Sequence, residues 1–292
     1  MSKTRLLAIL SFILILFIGF QACKKNESEE INYQSQAFAA QNLLLQKHNI
    51  IQLTVSYFKA LTSEGLANTG RATIDQGQAS VSSDSEKLSY RIDYFDAVYD
   101  FYDRYRGGKI FVEVDTDSLA QGAKSTMSFQ DFNFFAKLQY PPNRFSAGLV
   151  ELELVSAVDG HYVFEQQLTN VQLTDTTGTK SISLNGTILY DWEKWPDSEW
   201  FSFDNELIRI EANLSMTNHN GDMVDLSTSN PFIFRPDCGI VKGGSGQFNF
   251  PGLNPGAADM EYNAIDTLCN KGARMQLGDM PFMLTIDDWM LR

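Results

Sequence analysis

The chain has 292 residues, 43% of them hydrophobic and 12% aromatic, with 23 Lys and Arg against 36 Asp and Glu for a formal charge of −13. A surface this acidic repels phosphate backbones and anionic headgroups, which argues against nucleic acid as a partner and against membrane attachment through a basic patch. The length suits one large β domain or two small ones and is ample for a hydrophobic core.

The first element is a leader. Lys3 and Arg5 precede an apolar run from Leu6 to Phe20, followed by Ala22, Cys23 and the polar Lys24, Lys25, Asn26, Glu27, Ser28, Glu29 and Glu30. A cationic start, an apolar run and a small residue at the cut predict a secretory signal over residues 1–22. The run is shorter than the roughly 20 residues a helix needs to cross a bilayer core. Gly19, Phe20, Gln21 and Ala22 before Cys23 resemble the lipobox of bacterial lipoproteins, with Phe20 where Leu is usual. The resemblance implies acylation of Cys23 after cleavage, and two or three acyl chains anchor stably where one binds only marginally. The bland alternative is an ordinary secretory signal whose cysteine falls there by chance.

The remaining cysteines, Cys238 and Cys269, form a pair in an oxidising compartment, and a disulfide between them is expected. It would close a loop of about 30 residues and contribute on the order of 3 to 4 kcal/mol in the chain-entropy model. Half of a metal site is the rival reading, but no other Cys or His lies at ligand spacing from either residue. The close C-x-x-C pair of redox catalysts is absent.

Residues 23–34 are polar and aperiodic, as expected of a tether. From about Ser35 to Thr62, Ala37, Ala40, Leu44, Ile51, Val55 and Phe58 recur at spacings of three, four or seven, and Ser63-Glu64-Gly65 supplies a stop. One amphipathic helix is predicted, its stripe packed on a sheet, since a membrane-surface helix would be richer in Lys and Arg.

From about Arg71 onward the chain reads as strands. Ile208, Ile210, Ala212, Leu214 and Met216 alternate with Arg209, Glu211, Asn213, Ser215 and Thr217. Ile110, Val112 and Val114 alternate with Lys109, Glu113 and Asp115 in the same way, and Leu152 and Leu154 with Glu151 and Glu153. Half-solvated strands joined by short turns such as Asp159-Gly160, Asn185-Gly186 and Asn220-Gly221 predict antiparallel pairing. The fold class is therefore mainly β, an antiparallel sheet with one N-terminal amphipathic helix packed on it. Residues 35–292 form the β-rich domain, with a separate C-terminal module at about 236–292 as one option. Gly107-Gly108, Asn185-Gly186 and Gly243-Gly244 each sit at an expected strand start, which fits either a duplicated β unit or an ordinary meander.

Several local patterns resemble a group of uncharacterised lipoproteins common in Bacteroidetes. Asp103, Arg104, Tyr105, Arg106, Gly107, Gly108, Lys109 and Ile110 are similar to its Asp-x-Arg-x-Arg-x-Gly-Lys-Ile strand start, with the basic residues displaced. Asn185, Gly186 and Thr187 are similar to its central turn. Cys238 and Cys269 match its C-terminal cysteines, although Glu261, Tyr262, Asn263 and Asn270 stand where that group has an Asp-Phe-Gly and an Asp-Asn segment. The resemblance implies an N-terminal helix, a long β region and an envelope location, and no activity.

Among candidate sites, Trp192, Trp195, Trp200 and Phe201 interleave with Asp191, Glu193, Asp197, Glu199 and Asp204. Indole faces beside carboxylates can stack on sugar rings, while core or hairpin packing is the commoner use of such residues. Trp192 continues the strand side of Ile188 and Tyr190, and Trp195 stands beside Pro196 in a turn-like stretch. Phe129, Phe132, Phe134, Phe135 and Tyr140 read mostly as core. Acid pairs such as Asp115/Asp117 and Asp287/Asp288 are frequent enough to arise by chance, and Asp115-Thr116-Asp117 lacks the glycine and final glutamate of a calcium loop. His48, His161 and His219 lie in unrelated contexts without a G-x-S-x-G elbow. No catalytic residue, metal or cofactor is assigned.

The expected function is a non-catalytic binding or structural role for a protein held to the membrane through its N-terminal lipid. A glycan-binding accessory role through Trp192, Trp195 and Trp200 is the alternative, and an envelope hydrolase comes third. The expected partners besides the membrane are a polysaccharide or another envelope protein. Ser28-Glu29-Glu30 resembles acid-rich surface-export signals, so the outer face of the outer membrane is expected ahead of its periplasmic face.

Overall fold

The computed structural model describes residues 33–55, 57, 71–74, 79–84, 89–95, 98–99, 105–115, 121–135, 143–158, 161–175, 177–193, 207–235, 240–262 and 272–285. Helix α1 covers residues 33–55. Fifteen strands follow among the described residues. The first seven are β1 (Arg71–Ile74), β2 (Ala79–Asp84), β3 (Ser89–Asp93), β4 (Val98–Tyr99), β5 (Tyr105–Val114), β6 (Lys124–Phe135) and β7 (Asn143–Val158). Then come β8 (His161–Thr174), β9 (Ser181–Glu193), β10 (Ile208–Asn218) and β11 (Met223–Arg235). The last are β12 (Ile240–Asn249), β13 (Ala257–Tyr262), β14 (Gly272–Leu277) and β15 (Met280–Thr285). The protein is mainly β, as its alternating patterns predict.

All fifteen strands belong to one antiparallel sheet, in chain order along it, with β4 pairing β5 off the main path. The meander form follows from the short polar links, because an antiparallel neighbour can be reached by a tight turn. Residues 236–292 contribute β12 to β15, and β12 pairs β11 along the register Asp225↔Asn249 to Arg235↔Ile240. This segment therefore continues the sheet that the earlier strands build.

In β10 the burial alternates residue by residue from Ile208 to Leu214, with Ile208, Ile210, Ala212 and Leu214 inward and Arg209, Glu211 and Asn213 outward. An apolar interior and a polar outer face reverse the pattern of strands that face lipid. Among the described residues, no helix is long and apolar enough to cross a membrane.

Asn220-Gly221 forms the β10–β11 turn, closed by the Gly221 amide donating to the Asn218 carbonyl at 3.0 Å. Asn185-Gly186, read from sequence as a turn, instead lies inside β9. Gly186 has φ 129°, and a Cβ there would collide with the carbonyl oxygen of Asn213 on β10. The glycine lets two backbones press together mid-strand, a use that a turn dipeptide in the sequence does not distinguish. Gly108 of β5, Gly148 of β7 and Gly244 of β12 share the setting, also inside their strands, each pressed by the backbone of a neighbour. Register shifts accompany these sites, between Gly107 and Lys109 on β5 and between Ala147 and Leu149 on β7. Such bulges bend strands and increase twist, which lets a wide sheet curl.

The sheet curls around α1. Every residue from 43 to 55 is buried, more than three helical turns pointing in all directions. A flat sheet covers only one side of a helix. Here α1 touches β5 through Arg106, β8 and β9 through Gln166 and Tyr190, β11 through Phe232 and Phe234, and β13 through Tyr262. Of the predicted stripe, Ala37, Ala40, Leu44, Ile51 and Val55 are buried and Phe58 lies outside the described residues; from residue 43 to 55 the opposite side is buried as well.

Candidate functional site

The polar residues of α1 build the most unusual chemistry in the described molecule. Gln46, Lys47, His48, Asn49, Gln52 and Thr54 are all buried. A buried polar group costs free energy unless it is hydrogen-bonded, so each one needs a partner.

Four sets of bonds, some from the sheet and some within the helix, satisfy most of them. Near the start of α1, Gln36 Nε2 donates to the Pro255 carbonyl at 2.6 Å. Farther along, Gln52 Nε2 and His48 Nε2 lie 3.0 Å apart, and Arg106 donates from β5 to Gln52 Oε1 at 2.8 Å. Thr54 donates back to the Ile50 carbonyl at 3.0 Å and accepts from Gln166 at 2.8 Å. Tyr190 completes that set by donating to Gln166 Oε1 at 2.6 Å. Asn49 donates to Gln46 Oε1 at 3.2 Å, which leaves Gln46 Nε2 as a buried donor with no acceptor among the described residues.

Lys47 stands apart. It is 0% exposed, and its ammonium position lies 3.7 Å from the centroid of the Phe232 ring and 4.9 Å from that of Tyr262. Its Nζ donates to the Tyr262 hydroxyl at 3.1 Å. No carboxylate of the described residues pairs with it, and burial alone holds its pKa well below the usual lysine range. The aromatic faces offer a cation some compensation, while desolvation favours the neutral amine. The same burial raises the phenols of Tyr190 and Tyr262, and pushes Tyr57 up to about 12. The bonds from Lys47 to Tyr262 and from Thr54 through Gln166 to Tyr190 tie α1 to the sheet inside the core, an arrangement suited to holding the helix in one register.

Trp192 is 2% exposed and sits on the inner face of β9 with Ile188 and Tyr190, registered between Tyr162 of β8 and Ile208 of β10. It therefore cannot contribute to an exposed sugar platform. Trp195 and Trp200 lie outside the described residues, as do Cys23, Cys238 and Cys269. Phe132 and Phe145 are core residues and the half-buried Phe129 packs against that core, stacked on Phe145 with centroids 4.4 Å apart, while the side chains of Phe134, Phe135 and Tyr140 lie outside the described ones.

The three histidines do not converge. His48 is inside on α1, His219 is in the β10–β11 turn, and His161 is on the outer face 3.5 Å from Asp191. Arg209 reaches Glu193 at 3.2 Å and Asp191 at 3.8 Å beside it, forming a solvated charge cluster. Asp115 accepts the Lys124 amide at 2.8 Å, which satisfies it locally in a turn. No group of three metal-ligating side chains gathers among the described residues.

The interior partners Lys47, Gln52, Arg106, Gln166, Tyr190 and Tyr262 were not candidates in the sequence reading. One signal for the helix was present. Leu43, Leu45, Ile50 and Leu53 fall off the stripe, so apolar residues stand on every side of the helix, as a helix enclosed on all sides requires. Compared with protein families, curated proteins and solved structures, the chain matches none of them.

Proposed function

We propose that this protein is a lipid-anchored envelope protein with a non-catalytic binding or structural role. The observation that carries the reading is in the leader, where a cationic start and a short apolar run end at a small residue followed by Cys23. The fold is consistent with that role in one respect. Its buried polar side chains are largely spent on joining α1 to the sheet, and its outer strand faces carry Glu, Arg, Asn and Gln. Acyl chains on Cys23 would attach such a polar body to a membrane, with a Cys238–Cys269 disulfide tying the β12–β14 region. The outer face of the outer membrane is the proposed location.

The test is acylation. In the native chain, mass analysis of the N-terminal peptide should find acyl groups on Cys23, and Cys23→Ser should move the exported protein into the soluble fraction. A Cys23→Ser protein that stays in the membrane fraction would show that a retained apolar segment, not lipid, is the anchor.

A further inference from the structure

In an antiparallel meander, every second turn lies on the same side of the sheet. The β10–β11, β12–β13 and β14–β15 links are therefore neighbours at one end. Each presents an exposed apolar side chain: Met223 at 44%, Leu253 at 37% and Met280 at 41%. Leu253 is held at the tip of a closed loop, its amide donating to the Phe250 carbonyl at 3.1 Å while the Phe250 amide donates to Gly256 at 2.7 Å. Helix α1 begins at this same end, because Gln36 bonds to Pro255 and the Tyr33 hydroxyl lies beside Gly278. Phe38, 50% exposed, stands on the solvent side of the first turns of α1.

Only nine residues, ten Cα steps, lie between Cys23 and Tyr33. Fully extended, they reach at most about 35 Å. An acyl anchor at Cys23 therefore holds this end of the molecule, and not the β7–β8 end, near the bilayer.

We infer that Met223, Leu253, Met280 and Phe38 form the face that rests on the membrane holding the anchor, with their side chains in the headgroup boundary. The inference rests on the acylation of Cys23 proposed above. Asp222 and Asp279 flank the same tips, so zwitterionic headgroups suit this face and anionic ones oppose it. Apolar side chains at an interface sink about 5 to 10 Å into the headgroup and acyl boundary. Met283, 59% exposed, lies three residues up β15, about 10 Å from Met280 along the strand, and should stay in water.

The methionines are natural probes. The full acylated chain is reconstituted on phosphatidylcholine vesicles, and Cys23→Ser protein is kept in solution as the reference. Both are treated with water-soluble chloramine-T, and methionine oxidation is followed by peptide mass. On vesicles, Met223 and Met280 should oxidise several-fold more slowly than in solution, with Met283 unchanged. Equal rates for all three on vesicles that carry the protein would overturn the membrane face while leaving the anchor intact. Equal protection of Met283 would also overturn it, by indicating broader cover such as a second copy. A native chain without acyl mass at Cys23 removes the reading on which the inference rests, and the inference with it.

Discussion

Strand β10 and helix α1 bury their residues by different rules. In β10 the rule is geometric: neighbouring residues point to opposite faces, so polar side chains reach water wherever the inner face is packed. From residue 43 to 55 of α1 the sheet covers every direction, and a polar side chain there relies on partners from the strands or from the helix itself. The strand is thus held mainly by apolar area, and the helix by apolar area together with a set of polar matches. Burial of a residue means something different in each place.

The strand rule is tested most severely at Trp192. Trp192→Ala should cost roughly 3 to 5 kcal/mol through lost burial and a cavity, read as a large drop in the thermal midpoint. A midpoint close to that of the parent would mean that the inner face of β9 is not packed as described.

A second test addresses how the sheet curls enough to enclose a helix. At Gly186 the left-handed φ and the pressing Asn213 carbonyl leave no room for a methyl group. Gly186→Ala should destabilise by about 1 to 3 kcal/mol, the scale for forcing a side chain into an unfavourable backbone conformation. The same substitution at Gly178, which has positive φ but open space around it, should cost less. Equal denaturation midpoints for the two variants would remove the close strand contact as the reason for the glycine.

The helix rule is sharpened at Lys47, where the effect is a slope. Because its folded pKa lies below the unfolded one, the unfolded chain binds a proton that the folded chain does not. Stability contributed at this site therefore falls as pH drops below the unfolded pKa of about 10.4. Lys47→Met should gain on the parent progressively as pH is lowered from 9 to 6. Loss of the Tyr262 hydrogen bond shifts the level of the variant by a constant over this range, since the tyrosine phenol stays protonated. Parallel stability curves for parent and variant would show that Lys47 is charged in the fold.

The alternation of Ile208 to Met216 with Arg209 to Thr217 placed β10 to within a residue, because a period of two follows directly from strand geometry. The antiparallel pairing and the Asn220-Gly221 turn were equally legible, both being local consequences of turn chemistry. Asn185-Gly186 was misread for the same reason: a local signal carries no information about which neighbouring backbone presses on it. The burial of the polar run Gln46-Lys47-His48-Asn49 is not legible locally, since nothing near it in sequence identifies Tyr262 or Phe232, more than 180 residues away, as its surroundings.

The sequence by itself determined the strand faces and the existence of one N-terminal helix, both of which depend on residues close together along the chain. Only the tertiary structure decided that the sheet closes over that helix and that Lys47 is desolvated. Both depend on the summed twist of many strands bringing distant side chains to the same place, and no local pattern encodes that sum.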